Sequence, residues 1–193
     1  MKESLLRKTE ESGRVAHEMI ERDAEMLEAC VGKMAYCFKH GGKLLTMGNG
    51  GSACDALHVA VEFQHPILEK RRSIPAISLA ADVAVLTAIG NDADFTLVFS
   101  EQVQLLGKPE DVALGISTSG QSANVARGLT QARKMGLLTV AFSGRDGGRL
   151  VKIAEHCFVV PSFSIHRIQE AHTLLLHLLW DQVHVALGEE DVL

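Results

Sequence analysis

The sequence predicts an α/β protein of the three-layer sandwich type, in which helices cover both faces of a five-stranded parallel sheet and a helical segment precedes it. Five apolar runs of strand length alternate with helical patterns, at residues 43–47, 75–79, 112–116, 137–142 and 156–160. Such alternation favours a parallel sheet whose ligands bind beyond the carboxyl ends of its strands. The chain has 193 residues, 47% of them hydrophobic, which suits a single domain over 1–193.

The first forty residues carry a helical pattern. Leu27, Val31 and Met34 recur near helical spacing within 5–39, while Gly13 and Gly32 weaken the middle. The pattern therefore predicts either one long amphipathic helix or two broken ones. We expect 1–40 to be a helical region that packs in an oligomer, and 41–193 to be the α/β core.

A glycine-rich turn follows the first predicted strand. Three glycines at 48, 50 and 51 let the backbone approach an anion closely, and Ser52 is placed to cap the following helix. The N-terminus of that helix favours negative charge. His58 and Glu62 are four residues apart and share one helical face, which indicates a metal-capable surface. Any glycine turn between a strand and a helix shares these features, so an ordinary structural turn stays open.

A second loop of the same kind follows the third predicted strand. Hydroxyl groups cluster around a glycine here, at Ser117, Thr118, Ser119 and Ser122, and an amphipathic helix then reaches about residue 135. Helix capping explains one or two of these residues but not four, so the cluster indicates a phosphate site. Neither loop is a Walker A motif, because no Lys-Ser or Lys-Thr pair follows the glycines. This argues against a nucleotide triphosphatase.

Charge and composition exclude several classes of protein. The net charge of −5 argues against nucleic acid as the main ligand. No apolar leader and no run of membrane-spanning length occurs, so we expect no membrane partner and a cytoplasmic location. The cysteines at 30, 37, 54 and 157 have no C-x-x-C spacing and are expected as reduced, packed thiols. The basic residues 70–72 are expected on a solvated loop.

The C-terminal segment is apolar around most of its circumference. Leucines at 174–176, 178 and 179, with Trp180 and Val183, predict a helix over about 167–187 that is buried on several sides. A subunit interface is the simplest explanation for such a helix. We expect His172 and His184 to be hydrogen-bonded core residues.

Taken in order, the motif residues resemble the sugar isomerase (SIS) domain, which is flavodoxin-like, and specifically the phosphoheptose isomerase family. The resemblance runs over nearly the whole chain. It rests on Gly48, Asn49, Gly50, Gly51, Ser52 and Ala53; on Asp55, His58 and Glu62; on Asn91 and Asp92; on Ser117, Thr118, Ser119, Gly120 and Ser122; on the turn at Asp146, Gly147 and Gly148; and on Arg167, Ile168, Gln169, Glu170, His172 and His177.

This resemblance implies an aldose–ketose isomerase that converts D-sedoheptulose 7-phosphate to D-glycero-D-manno-heptose 7-phosphate through an enediol, the first step of ADP- or GDP-heptose biosynthesis. It implies one Zn²⁺ per subunit, held by His58, Glu62, Gln169 and His177. Glu62 would be the catalytic base and His177 the acid, while the metal polarises the carbonyl oxygen. Because Glu62 cannot easily be both tight ligand and base, we expect its coordination to be loose.

The same resemblance assigns the substrate contacts. Asn49, Gly50, Gly51, Glu62 and Gln169 are expected at the sugar, and the four hydroxyl residues of the second loop at the phosphate. Asn91 and Asp92 would contact sugar hydroxyls, although a turn or a helix cap explains them equally well.

One geometric difficulty concerns the ligand set. On a straight helix, Gln169 and His177 are separated by about 12 Å along the axis, too far to meet at one ion. Either the helix begins after Gln169, or His177 comes from a neighbouring subunit of a homotetramer. We favour the second arrangement.

Two other readings stay open. Family members commonly carry a Gly-Arg-aromatic segment after the glutamate, whereas residues 64–67 here are Gln-His-Pro-Ile, and His166 precedes the Arg-Ile-Gln motif. The chain could therefore be an isomerase or a sensor for another phosphosugar. It could also resemble the non-catalytic tetrameric SIS scaffolds that bind a replication initiator, but retention of the full catalytic set argues against this.

Overall fold

The computed structural model describes residues 1–67 and 71–191. Together these residues form seven α-helices and five strands. The helices are α1 (Lys2–Lys39), α2 (Gly51–Gln64), α3 (Val83–Asp92), α4 (Val98–Leu106), α5 (Ala123–Lys134), α6 (Leu150–Ile153) and α7 (Ile165–Ala186), and the strands are β1 (Leu44–Gly48), β2 (Ala76–Ser78), β3 (Val112–Ser117), β4 (Leu138–Gly144) and β5 (His156–Val160). A 3₁₀ turn at Phe95–Leu97 precedes α4.

The five strands form one parallel sheet in the order β2-β1-β3-β4-β5. This confirms the predicted fold, and each strand lies within two residues of its predicted bounds. The chain leaves β1 toward one edge and returns at β3 toward the other, so the strand order reverses between these two neighbours. In open α/β sheets the crevice at such a reversal is where ligands bind.

Side chains that alternate along the strands divide the core into two layers. On β1, Leu44 faces the layer covered by α1, α2 and α7, while Leu45 and Met47 face the layer under α4, α5 and α6. All three are fully buried. A strand buried on both faces explains why the sequence shows an apolar run rather than an alternation of polar and apolar residues.

The N-terminal segment is one unbroken helix, α1. Gly13 and Gly32 lie within it, and a side chain added at either would meet open space. Packing of an apolar stripe that includes Met19, Cys30 and Met34 holds the helix across these two weak points. The alternative of two broken helices is therefore wrong.

The C-terminal helix α7 is buried mainly within its own chain. It packs between α1, α2 and the sheet, and Leu175, Leu176 and Leu179 are almost fully covered there. Leu174, in contrast, is 42% exposed. The prediction of burial on several sides is confirmed, and α1 provides much of it within the chain; a subunit interface against the exposed remainder stays a prediction.

Other expectations meet mixed outcomes. Within 70–72, Lys70 lies outside the described residues, whereas Arg71 is only 8% exposed, so the prediction of a solvated loop is wrong for Arg71. All four cysteines are free thiols. Cys54 is exposed, so it has no packing role. Within the described ranges, no helix has the length and apolar character needed to cross a membrane.

Candidate active site

The glycine turn after β1 lies at the carboxyl edge of the sheet, beside the reversal of strand order. Gly50 has φ 56°, a conformation that favours glycine, and it is the N-cap of α2. A Cβ on Gly48 would approach the Ser52 carbonyl oxygen to 2.3 Å. No side chain caps α2, so the expectation that Ser52 does so is wrong. The first N–H groups of α2 are thus left without a side-chain acceptor, as an anion site requires.

The second loop brings its hydroxyl groups together at the start of α5. The Ser117 and Ser122 Oγ atoms are 2.9 Å apart, and the Ser117 and Ser119 Oγ atoms are 3.5 Å apart. Ser122 is the N-cap of α5, yet its hydroxyl makes no capping bond. Because these hydroxyls bond to one another rather than to the helix, each can reorient toward a ligand oxygen. Thr118 lies half-buried between them.

The turn at residues 146–148 packs closely against the backbone of this second loop. A Cβ on Gly120 would lie 2.1 Å from the Gly147 carbonyl oxygen, and one on Gly148 would lie 2.6 Å from the Gly120 carbonyl oxygen. The backbone N–H of Arg149 also donates to Gly120. Only glycines allow the two loops to pack this closely, which explains their presence at both positions.

A pair of side-chain amides joins the two loops. Asn49 Nδ2 donates to Asn124 Oδ1, and Asn124 Nδ2 donates to Asn49 Oδ1, both at 2.8 Å. The Asn124 oxygen also accepts from the backbone N–H of Val125. Asn49 therefore fixes the relative position of the loops, and its partner Asn124, which sequence reasoning missed, is the buried half of the pair.

Farther along α2, three potential metal ligands converge. His58 Nε2 lies 3.3 Å from Glu62 Oε1, and the rings of His58 and His177 meet edge-on with centroids 5.0 Å apart. One ligand atom from each residue lies within 4.8 Å of the other two. The chain's own His177 thus completes the group, which argues against the prediction that a neighbouring subunit supplies this histidine.

Gln169 lies apart from that group. A Cβ on Gly51 would lie 2.1 Å from Gln169 Nε2, so the amide rests against the glycine turn. The helix α7 begins at Ile165, which excludes the alternative that it starts after Gln169. Because α2 and α7 run side by side in the same direction, Gln169 is opposite the start of α2 while His177 is opposite His58. Two turns of helix separate Gln169 from the three-residue group.

The rest of the Arg-Ile-Gln-Glu motif is structural in this chain. Arg167 donates to the Lys8 carbonyl oxygen and pairs with Glu170, which in turn accepts a hydrogen bond from Ser12. These contacts tie the first turn of α7 to α1. Ile168 is fully buried, so Gln169 is the motif residue that faces the glycine turn.

A carboxyl group next to His58 has an altered pKa. Burial raises the pKa of Asp55 to about 6, while the nearby His58 acts in the opposite direction. Its Oδ2 atom is buried and has no hydrogen-bond partner within the described residues. Asp55 lies one turn before His58 on α2, so the carboxyl group adds a proton-binding site on the face that carries the metal-capable residues.

Asn91 and Asp92 are the last two residues of helix α3. Asn91 Nδ2 donates to Asp92 Oδ1 at 2.7 Å, and both residues are exposed. This hydrogen bond links the two residues to each other. Their assignment to sugar hydroxyls stays a prediction.

Comparisons with known proteins show the family of this chain. The family model described as the SIS domain matches residues 9–144. A phosphoheptose isomerase of Aquifex aeolicus is 44% identical over 181 residues, covering 94% of this chain and 95% of that protein. Phosphoheptose isomerase GmhA from Neisseria gonorrhoeae has the same fold with a TM-score of 0.87 and 38% identity, covering 94% of this chain and 97% of that one. A phosphoheptose isomerase from Francisella tularensis follows at 0.86 and 32%, covering 95% and 97%.

Proposed function

Because the chain belongs to the SIS-domain proteins and, within them, to the phosphoheptose isomerase family, we propose that it interconverts D-sedoheptulose 7-phosphate and D-glycero-D-manno-heptose 7-phosphate. The observation that carries the proposal is the group formed by His58, Glu62 and His177, which lies two helical turns along α2 from the glycine turn. We propose that this turn and the hydroxyl-rich second loop bind the phosphate. Acid, base and phosphate site are then available to one sugar phosphate.

The reaction needs a base and an acid on either side of an enediol. In the ketose-to-aldose direction, a base removes one proton from C1 while the oxygen at C2 gains one. The enediol then receives a proton at C2, and the oxygen at C1 gives one up. We assign the carbon-bound protons to Glu62 and the oxygen-bound protons to His177, which is exposed enough to exchange with water.

The size of the site fits a seven-carbon chain. Gly51 and His58 are seven residues apart on α2, which corresponds to about 10 Å along the axis. The Glu62 side chain leans back toward His58, as helical side chains do. An extended heptose 7-phosphate spans roughly 9 Å from phosphorus to C1, because each of the eight bonds between them advances the chain by just over 1 Å. A phosphate at the loops would therefore place C1 and C2 near Glu62.

The donor set fits zinc, which is part of this proposal. Two imidazoles and a carboxylate are ordinary zinc ligands, and ligand atoms around a tetrahedral zinc lie roughly 3.4 Å apart. The ligand atoms of His58, Glu62 and His177 lie within 4.8 Å of one another, so they would have to approach each other by up to about 1.4 Å. A bound zinc would polarise the substrate carbonyl. Gln169 would join only if α7 shifted along its axis relative to α2, and otherwise substrate would take its place.

We further propose a cytoplasmic homotetramer. Helix α3 has the apolar sequence of a packed helix but no buried residue; its first residue, Val83, is 68% exposed, and Phe95 in the turn that follows is 58% exposed. Covering these side chains with another copy of the chain would stabilise the assembly. The four free thiols suit a reducing compartment.

A panel of ketose phosphates with five, six and seven carbons tests the function. We expect turnover of sedoheptulose 7-phosphate with kcat/KM at least about 100-fold above the shorter sugars, since only the longer chain spans the loops and Glu62. Faster turnover of a five- or six-carbon sugar would favour the second candidate, an isomerase for another phosphosugar, which the altered segment at 64–67 supports. Absence of any turnover would contradict both and favour a sensor or a scaffold.

A further inference from the structure

The end of helix α2 has an unusual hydrogen bond at Glu62. In a continuous helix the Glu62 carbonyl would accept from the N–H four residues later, but that residue is Pro66, which has no N–H. The indole Nε1 of Trp180 donates to the Glu62 carbonyl oxygen instead, at 2.9 Å. The carbonyl groups on either side, of Val61 and Phe63, accept backbone N–H groups. The Trp180 bond thus supplies the Glu62 carbonyl with a donor that the backbone cannot provide at Pro66.

Trp180 is itself held firmly in place. Its side chain is 4% exposed, and the Arg71 guanidinium lies over its ring at 4.6 Å from the centroid. Arg71 is fixed by a buried ion pair with Asp181 at 2.5 Å. The ring of His184 meets Trp180 edge-on at 5.0 Å. Few rotations of the indole are possible under these constraints, so the position of its N–H is well defined.

We propose that Trp180, held by Arg71, is a positioning residue that sets the place of Glu62 relative to His58 and His177 during isomerisation. The inference rests on the proposed function. Glu62 lies on the last turn of α2, and a terminal turn with an unsatisfied carbonyl group tends to fray. A displacement of about 1 Å at a catalytic group can lower a rate by roughly 100-fold. The contact therefore acts on the reaction through the backbone of Glu62, without touching substrate.

The composition of the chain allows a clean test. Trp180 is its only tryptophan, so replacement of all tryptophan by benzothienylalanine changes this position alone. That analogue exchanges the indole N–H for sulfur and keeps the ring, its packing and the surface under Arg71. Trp180→Phe is a second variant that is encoded genetically.

A matched control comes from Gln102, which is buried and donates through Nε2 to the carbonyl oxygens of Leu79 and Val98, away from Glu62. Gln102→Leu removes buried side-chain hydrogen bonds to main-chain carbonyl groups, as the analogue does. Hydrogen exchange of the amides of His65 and Ile74, which bond to the flanking carbonyl groups, reports whether the end of α2 loosens.

We expect the analogue to lower kcat for sedoheptulose 7-phosphate by about 10- to 100-fold with KM within twofold of wild type, and to accelerate exchange at His65. Gln102→Leu should leave kcat within twofold. In a Glu62→Gln background the analogue should cause no further loss, because there is no carboxylate left to position. This lack of additivity distinguishes positioning from general loss of stability.

The outcomes separate the two proposals. An active wild type whose analogue form keeps its kcat overturns the positioning role alone, and so does an equal loss of kcat in Gln102→Leu. A wild type that turns over no phosphosugar overturns the proposed function, and the positioning role with it. Trp180→Phe should reproduce the loss of kcat, and a wild-type kcat in that variant would also contradict the inference.

Discussion

Glu62 faces His58 from the last turn of α2, half-buried and close to His177. If it is the base, Glu62→Gln should lower kcat by about 100-fold or more, since general base catalysis contributes on that order. The substitution keeps the size of the side chain, so the melting temperature should change by only a few degrees. Steady-state kinetics and thermal denaturation measure both. Glu101→Gln, an exposed site on α4, is the matched control, and wild-type turnover by Glu62→Gln would contradict the assignment.

His172 gives a prediction about pH and stability. Burial lowers the pKa of His172 to about 4, although its hydrogen bond to the Ser143 carbonyl acts in the opposite direction. Between pH 6.5 and about 4 the unfolded chain binds a proton at this histidine and the folded chain does not. The free energy of unfolding therefore decreases as the pH is lowered through this window, by at most about 1.4 kcal/mol per pH unit. Above pH 6.5 the imidazole is neutral in both states and contributes no slope.

The control variant for this effect is His172→Gln, which can still donate to Ser143 but does not titrate. We expect a shallower loss of stability from pH 6.5 to 4 in this variant, measured by urea denaturation at each pH. Asp55, whose pKa is raised to about 6, acts in the opposite direction below pH 6 in both proteins and cancels in the difference. Parallel pH profiles for wild type and variant would contradict the prediction.

For single residues, patterns in the sequence identify a side chain's chemical role better than they identify its packing partners. His172 and His184 are the hydrogen-bonded core residues that the apolar helix predicts, bonded to Ser143 and to Glu189. The role of Arg71 had no local signal, because its partners Trp180 and Asp181 are about 110 residues away and only the fold brings them together.

At the scale of elements, the second loop offers a direct test of phosphate binding. Replacement of Ser117, Ser119 and Ser122 by alanine should weaken binding of sedoheptulose 7-phosphate by 100-fold or more, since hydrogen bonds to a charged group contribute about 1.5–3 kcal/mol each. The loss of stability should be small, because Ser122 makes no capping bond to α5. Isothermal titration calorimetry and thermal denaturation give the two quantities.

The control for the serine loop is Ser100→Ala on α4, which loses a hydroxyl bond to the Leu97 carbonyl outside the site. It should leave the affinity unchanged. If the triple variant binds as tightly as wild type, or if its affinity falls only as far as its stability does, the loop is structural and the phosphate lies elsewhere.

The strands and most of the helices can be predicted from the sequence, but which helices pack against each other cannot. Apolar runs bounded by glycine and polar residues define all five strands, and a parallel sheet then places both loops at one edge. The sequence also shows that Gln169 and His177 lie on one helix, with Gln169 first. What the sequence left open is that α2 and α7 lie side by side in parallel, which puts Gln169 at Gly51 and His177 at His58. Helix-to-helix register depends on tertiary packing, and periodicity reports only which face is apolar.

At the scale of the whole molecule, the question is whether one chain contains a complete acid and base pair. His177 lies within reach of Glu62 in the same chain, so Glu62→Gln and His177→Ala damage the same site. In the proposed homotetramer, every site in a mixture of these two variants would then carry one defect or the other. We expect mixed oligomers, verified by native mass spectrometry, to show no more activity than the average of the two parents.

A mixture of wild type with Glu62→Gln is the control for that experiment. Its activity should fall in proportion to the fraction of variant chains, because each wild-type chain keeps its own Glu62 and His177 whatever its neighbours are. Activity in the double mixture well above both parents would show that His177 of one subunit serves Glu62 of another, and the arrangement of α2 against α7 would then have to differ in the assembled protein. Native mass spectrometry of the wild type also tests the tetramer directly, since a monomer at assay concentrations would leave the exposed apolar surface of α3 without the partner we propose.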